Sequence, residues 1–289
     1  MNTIINTNIM ALTSHRAILN VGQRQAISSE RLSTGMRINR AADDAAGLAI
    51  SEKMRNQIRG LDQATRNSQD GISLIQTAEG ALEEIHRILE RTRELTNQAA
   101  NDVMTSEDRQ VILTEITQIL EEIDRIAGVT EFNTLNLLDG SMAEGAWLQV
   151  GANAGQGIII SISNLSVESL GLSEFTAEFT LAIAESIDLI AGGEGGAMIS
   201  ALLNNLDDAI QMVSFQRAEL GAIQNRLEHT INNLRVASEN ITAANARIRD
   251  TDMAREMMEY TQAGVLHQAA MSMLAQANMI PQSVLQLLS

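Results

Sequence analysis

Residues 199–248 read "ISALLNNLDDAIQMVSFQRAELGAIQNRLEHTINNLRVASENITAANARI". An apolar side chain recurs every seventh position without a miss, at Ile199, Leu206, Val213, Leu220, Leu227, Leu234, Ile241 and Ile248. Three residues further on in each repeat stand Leu202, Ala209, Gln216, Ile223, Thr230, Ala237 and Ala244. A seam sustained this long specifies a coiled-coil helix rather than a strand or a globular core helix. At about 1.5 Å per residue such a helix would be roughly 75 Å long. A helix of that length needs a partner of comparable length.

That partner lies upstream. Between 44 and 100 a second seam runs through Met54, Ile58, Leu61, Thr65, Ser68, Ile72 and Ile75, slips near Ala78 and resumes at Leu82, Ile85 and Leu89. The slip predicts a stutter in the supercoil. A shorter helix follows, expected to be capped at Ser106 and closed at Gly128, with Ile112, Ile116, Ile119, Ile123 and Ile126 on one stripe. Residues 129–163 turn Gly- and Asn-rich, and "WLQV" and "IIISIS" predict a small β-hairpin. The acidic segment 164–196 reads as a short surface excursion with a helix over 176–191.

Both ends are amphipathic. Ile5, Leu12, Leu19 and Ala26 fall seven apart, while Ala263, Leu266, Ala270, Met273, Ala277, Ile280, Val284 and Leu287 alternate three and four. Stripes with no obvious covering body call for the opposite terminus, a second copy or a membrane surface as partner. The C-terminal stripe lacks the basic residues of a membrane-binding face. Pro281, the single proline, is expected to stop or kink the last helix. The implied fold is mainly α, a long antiparallel coiled-coil helical rod with a small β-hairpin region and both termini helical at one end. Its parts are terminal helices and connector at 1–43 and 249–289, the rod and hairpin at 44–163 and 197–248, and the excursion at 164–196.

Composition narrows the function. Formal net charge is −16, and aromatics make up 2% of the 289 residues. Between Arg125 and Arg217 there are eleven acidic residues and no Lys or Arg. Such a surface repels phosphate and offers few rings for base stacking, which argues against nucleic-acid binding. The first forty residues are the opposite, with five arginines against Glu30 alone, but these are dispersed. No cysteine is present, so disulfide, thiol and thiolate chemistry are excluded. No apolar run approaches the roughly 20 residues of a membrane span. The N-terminus lacks the pattern of a cleaved secretory signal, so synthesis without one is expected.

No catalytic or metal constellation emerges. His15, His86, His229 and His267 are scattered, and the Glu83-x-x-His86 pair lacks the second pair and extra glutamates of a di-iron bundle. A solvated helix face explains it. "GGEGG" at 192–196 lacks the Lys-Ser/Thr of a phosphate loop. The methionines Met253, Met257, Met258, Met271, Met273 and Met279 fit helix packing, including packing against another subunit.

One stretch interrupts the helices, "RLSTGMRINRAADDAAGLAIS" at 31–51. Gly35 can end a helix, Asp43 can cap the next and Asp44 can favour its dipole, while Arg37 and Arg40 can reach neighbouring acids. A helix-to-helix connector explains the residue types but not their order. The order resembles the N-terminal signature of bacterial flagellins, including Asn39 and Gly47. The likeness continues through "NSQDGISLIQTAEGALEEIHRILERTRELTNQAAN", "EITQILEEIDRIAGVTEFNTLNLLDG", "LGAIQNRLEHTINNLRVASENITAANARIRDTDMAREM" and "LAQANMIPQSVLQLL".

The resemblance implies a non-enzymatic, cofactor-free subunit that polymerises into the bacterial flagellar filament. It places the terminal helices in an inner tube, disordered until assembly, and the long helices with the hairpin in an outer tube. It implies export through the flagellum, an extracellular location, a chaperone on the C-terminal helix, and filament cap and hook–filament junction proteins as neighbours. Arg91 and Leu95 in "ERTRELTNQ" and Glu115 in "TEITQ" match the positions that an innate immune receptor, Toll-like receptor 5, contacts in some members. Thr92, Thr96 and Asn97 depart from the more usual apolar residues there. The alternatives are a hook–filament junction protein of the same design, which usually has a proline after the double Asp, and a cytoplasmic coiled-coil signalling protein. A ferritin-like enzyme would have to bind iron.

Overall fold

A computed structural model describes the backbone of residues 7–186 and 195–288 and the side chains of 7–184 and 196–280. In order, the elements are α1 (Ile9–Thr34), α2 (Ala45–Ala99), α3 (Ser106–Val129), β1 (Glu131–Phe132), β2 (Leu135–Asn136), β3 (Ala146–Gln149), β4 (Gly157–Ile160), α4 (Phe175–Ser186), α5 (Gly195–Arg249) and α6 (Met253–Leu288). The chain divides into two compact units, Met1–Ile58 with Glu239–Ser289, and Arg59–Ser238. The division falls within α2 and α5 rather than at 43/44 and 248/249, because the connector bonds to the first turns of α2 and the last of α5.

In the unit Arg59–Ser238, α2 and α5 run antiparallel. Ser238 Oγ donates to Asp62 Oδ1 at 3.1 Å, Arg217 pairs with Glu79 at 4.0 Å, and Arg93 pairs with Asp207 at 2.6 Å. As the position climbs along one helix it falls along the other. The α5 seam follows the predicted heptads from Ile199 to Leu227, all buried except for the next companion place, where Ile231 rather than Thr230 turns inward. Ile241 and Ile248 are half-buried.

The α2 seam is more regular than expected. Its buried line runs Leu61, Ala64, Ser68, Gly71, Ile75, Ala78, Leu82, Ile85, Leu89, Thr92, Thr96 and Ala99, alternating three and four with no stutter. Met54, Ile58, Thr65 and Ile72 are only half-buried. The expected slip comes from Thr65 and Ile72, whereas the buried places beside them are Ala64 and Gly71, small residues that let other elements approach closely. At Gly71 a Cβ would overlap the Leu148 side chain of β3, so a side chain there would force Leu148 to move. Ser68, Thr92 and Thr96 turn their hydroxyls back to carbonyls of their own helix, which satisfies them in the core.

α3 starts one residue earlier in its capping than predicted. Thr105, not Ser106, is the N-cap, and it forms a capping box with Asp108. The helix passes through Gly128 and ends after Val129, with Thr130 as C-cap. β1 and β2 form a hairpin beyond the predicted one, turning on Asn133 (φ 52°) and Thr134 (φ 65°), the paired positive φ of a tight two-residue turn. The predicted hairpin is β3–β4, in register Trp147↔Ile159.

Residues 164–196 are not a surface excursion where they are described. Leu165, Val167, Leu170, Leu172, Phe175, Phe179, Ala182 and Ile183 all join the core of this unit. Phe175 and Phe179 sit 6.1 Å apart, and Asp124 Oδ1 of α3 accepts the Val167 N–H at 2.8 Å. The segment carries several acids, but its apolar residues, four in the turns before α4 and four on α4 itself, pack inward, and α4 packs against α3. Positions 187–191 of the expected helix lie outside the described residues. Arg109, which the sequence did not single out, is 1% exposed and donates to the Asn101 carbonyl and Asp102, holding the α2–α3 loop.

Candidate functional site: the connector and the terminal faces

In the other unit the chain crosses twice between helices, at 35–44 and at 250–252, and the two crossings are hydrogen-bonded to each other. Met36 and Asp250 form an antiparallel bridge. Arg37 N–H donates to the Arg249 carbonyl at 2.7 Å, and Thr251 N–H donates to Gly35 O at 3.0 Å. Gly35 takes φ +70°, the left-handed helix cap that glycine adopts without steric cost. The Arg37 guanidinium donates to Ile248 O at 2.6 Å, so a cation meets the exposed carbonyls at the end of α5.

The two aspartates divide the work differently from the prediction. α2 begins at Ala45, so Asp44 is its N-cap and Asp44 Oδ1 accepts the Gly47 N–H at 2.8 Å. Gly47 has to be glycine, because a Cβ would strike that carboxylate and Ile38, a fully buried residue. Asp43 faces backwards instead. Its Oδ2 accepts the N–H groups of Arg40 at 2.8 Å and Asn39 at 3.0 Å, closing the loop. Asn39 Nδ2 donates to Met36 O, and Arg40 pairs with Glu30 of α1 at 3.0 Å. Arg249 pairs with Glu52 of α2 at 2.9 Å.

The Arg40 and Asn39 amides hold the Asp43 carboxyl below its ordinary value of 3.8, and Arg249 with Arg55 holds Glu52 below 4.5. A carboxyl depressed in the folded state stabilises it fully above the unfolded value, and that contribution is lost as pH falls through the lowered one. The stabilisation these two carboxyls give the connector is therefore expected to be intact above the ordinary carboxylate range and lost below it, while the backbone bonds between the crossings do not titrate. Carboxyl carbon NMR titration checks this, and an Asp43 midpoint at or above 3.8 contradicts it.

α1 and α6 pair along their lengths; of the predicted stripes Ala263, Ala270 and Ala277 turn inward, whereas Leu12, Leu19, Ala26, Leu266, Met273 and Ile280 do not. Facing one another are Ala11, Ser14, Ile18, Val21, Gln25, Ser28 and Leu32 on α1, and Glu256, Tyr260, Ala263, His267, Ala270, Leu274 and Ala277 on α6, all half-buried or buried. The intrachain seam thus mixes small and polar residues with Ile18, Val21, Leu32, Tyr260 and Leu274. Among them, buried Glu256 meets Arg31 at 3.7 Å. Other large apolar side chains lie beside that seam. Leu12 is 56% exposed, Leu19 59%, Met273 58% and Leu266 44%, and Ile280, Val265, Met257 and Met258 are also exposed. Ile5 lies outside the described residues, as do the side chains of Val284 and Leu287. α6 runs on through Pro281 to Leu288.

Arg91 and Glu115 pair at 3.1 Å on the surface of α2 and α3, and Arg91 also reaches Glu94. Leu95 is 2% exposed and belongs to the core beneath them, as do Thr92 and Thr96. Among the described residues no group of three or more His, Cys, Asp or Glu could hold a metal ion. No described helix is long and apolar enough to cross a membrane.

Paired terminal helices with apolar outer faces, a clasped connector and a helical body define a structural helical protein of the self-associating kind. The comparisons agree. The family described as bacterial flagellin N-terminal helical region matches residues 5–143, and bacterial flagellin C-terminal helical region matches residues 203–288. Flagellin of Halalkalibacterium halodurans is 51% identical over 288 residues, covering 99% of both chains, and flagellin of Bacillus subtilis is 49% identical, covering 98% of this chain and 99% of that one. A hook-associated protein structure from Vibrio parahaemolyticus, described as putative, has a TM-score of 0.60 over 72% of this chain and 100% of its own, but at 16% identity it shows the fold alone. The chain belongs to the bacterial flagellin family. It is a structural subunit of the extracellular flagellar filament and not an enzyme. The hook–filament junction alternative is not favoured.

Proposed function

We propose that filament growth is driven by the apolar outer faces of α1 and α6, which meet those of neighbouring copies to form the inner tube. The observation that carries this reading is the register of the terminal pair, whose own seam leaves Leu12, Leu19, Leu266 and Met273 largely exposed. Burying such faces between copies removes several large side chains from water, each worth about 1.5–3 kcal/mol. Residues 44–163 and 197–248 then make the outer tube, and the paired crossings transmit the position of one layer to the other.

The export route belongs to the same reading: passage through the flagellum without a cleaved signal, with a chaperone covering the C-terminal helix until release. Cap and junction proteins would adjoin the ends of the filament. Recognition by Toll-like receptor 5 would use the exposed Arg91–Glu115 pair, and a contact with Leu95 would require that residue to leave the core.

The test is seeded growth. Purified chain added to short filament seeds is expected to elongate them, as seen by electron microscopy, with subunit uptake saturating above a critical concentration. Discrete particles, or no growth at any concentration, would overturn the proposal.

A further inference from the structure

Proline has no N–H, and its ring crowds the carbonyl four residues earlier, so inside a helix it normally leaves that carbonyl unpaired and bends the chain. For Pro281 that carbonyl belongs to Ala277, a residue 4% exposed in the α1–α6 seam. Yet α6 is helical on both sides of the proline. The missing donor is supplied from the other end of the sequence, where Asn8 Nδ2 donates to Ala277 O at 2.7 Å. The same amide caps α1, its Oδ1 accepting the Ala11 N–H at 3.0 Å. One side chain uses its acceptor to start the N-terminal helix and its donor to repair the C-terminal one.

We infer that Asn8 is the register-setting residue of the terminal helix pair, coupling the N-terminus of α1 to the proline-freed carbonyl of α6. The chemistry is specific to an amide. Aspartate and serine can accept from the Ala11 amide, but aspartate has no donor for Ala277 O and serine is shorter by the atoms that reach it. A slip of either helix by one residue would separate this side-chain donor from the carbonyl that Pro281 strands. Pro281, which by itself disfavours the helix, becomes the feature that singles out one alignment of the two ends.

This inference rests on the filament reading for its readout, and a double-mutant cycle separates the two. Asn8→Ser, Pro281→Ala and the double variant are compared with the unmodified chain for critical concentration in seeded growth. With Pro281 present, Asn8→Ser is expected to raise the critical concentration about tenfold, as an unsatisfied buried carbonyl would. In the Pro281→Ala background the backbone at that position supplies its own N–H to Ala277 O. There the same substitution is expected to raise the critical concentration by less than about twofold, the residual effect of exchanging one good cap for another. Equal penalties in the two backgrounds, or no penalty in either, would overturn the coupling and leave Asn8 as a cap alone.

If Asn8→Ser fails to polymerise at all, restoration of growth by Pro281→Ala supports the proposal and continued failure refutes it. Asn8→Asp should behave like Asn8→Ser with Pro281 present. Failure of the unmodified chain to grow would instead count against the filament reading, and the cycle would then be read from thermal loss of helicity.

Discussion

Leu227→Asp is expected to unfold the Arg59–Ser238 unit under conditions where the unmodified chain is stable, with a loss of at least about 4 kcal/mol. Leu227 is fully buried in the α5 seam, and its Cδ1 lies 3.5 Å from where a Cβ on Gly71 of α2 would sit. Removing the side chain leaves a cavity against a helix that has no atoms to fill it. Adding a carboxylate there also places an unpaired charge among Leu220, Ile223 and Ile231, with the described arginines of this unit at the surface or, like Arg109, already paired. Leu227→Ala is the control, with only the cavity term of about 2–5 kcal/mol. Circular dichroism against urea measures both, and an aspartate variant as stable as the alanine one would remove Leu227 from the seam.

Deletion of residues 278–289 is expected to give the opposite signature, with elongation abolished and the urea midpoint of the Arg59–Ser238 unit unchanged. The deletion removes no residue of that unit, whose core closes on its own side chains. It does remove exposed Ile280 and the last turns of α6, part of the surface proposed to meet neighbouring copies. Seed-elongation assays and denaturation of the same sample separate the two effects. A helicity loss larger than the deleted residues account for would show that the terminus supports the body, and normal filaments from the truncated chain would remove the C-terminal face from assembly.

The α5 seam is legible along the chain, because large apolar residues stand at nearly every seam place from Ile199 to Leu227. The seams of α2 and α6 are legible only in part and that of α1 is not, for a common reason. There many of the seam places are taken by Ala, Ser, Gly and Thr, which carry little hydropathy signal but permit close approach, as Gly71 does beside Leu148. The larger side chains trace a stutter in α2, and at the two ends Leu12, Leu19, Leu266 and Met273 are left exposed to solvent while Ala263, Ala270 and Ala277 of the same expected α6 stripe turn inward. In α2 the small residues Ala64, Ser68, Gly71, Ala78 and Ala99 all fall on the buried line that alternates three and four. Likewise, Asp43 and Asp44 are legible as a capping pair, yet which one caps depends on whether α2 starts at 44 or 45, a matter of one residue that only backbone geometry resolves.

By itself, then, the sequence determined the class of fold, the two long helices, the connector and the family, since each rests on local periodicity, glycine placement or an ordered motif read along the chain. The tertiary structure decided which face of each terminal helix turns inward, that residues 165–183 complete a core despite their acidic setting, and that Asn8 lies against the carbonyl stranded by Pro281. Those relations join residues up to 269 positions apart, and they depend on how two surfaces fit rather than on what either segment prefers alone.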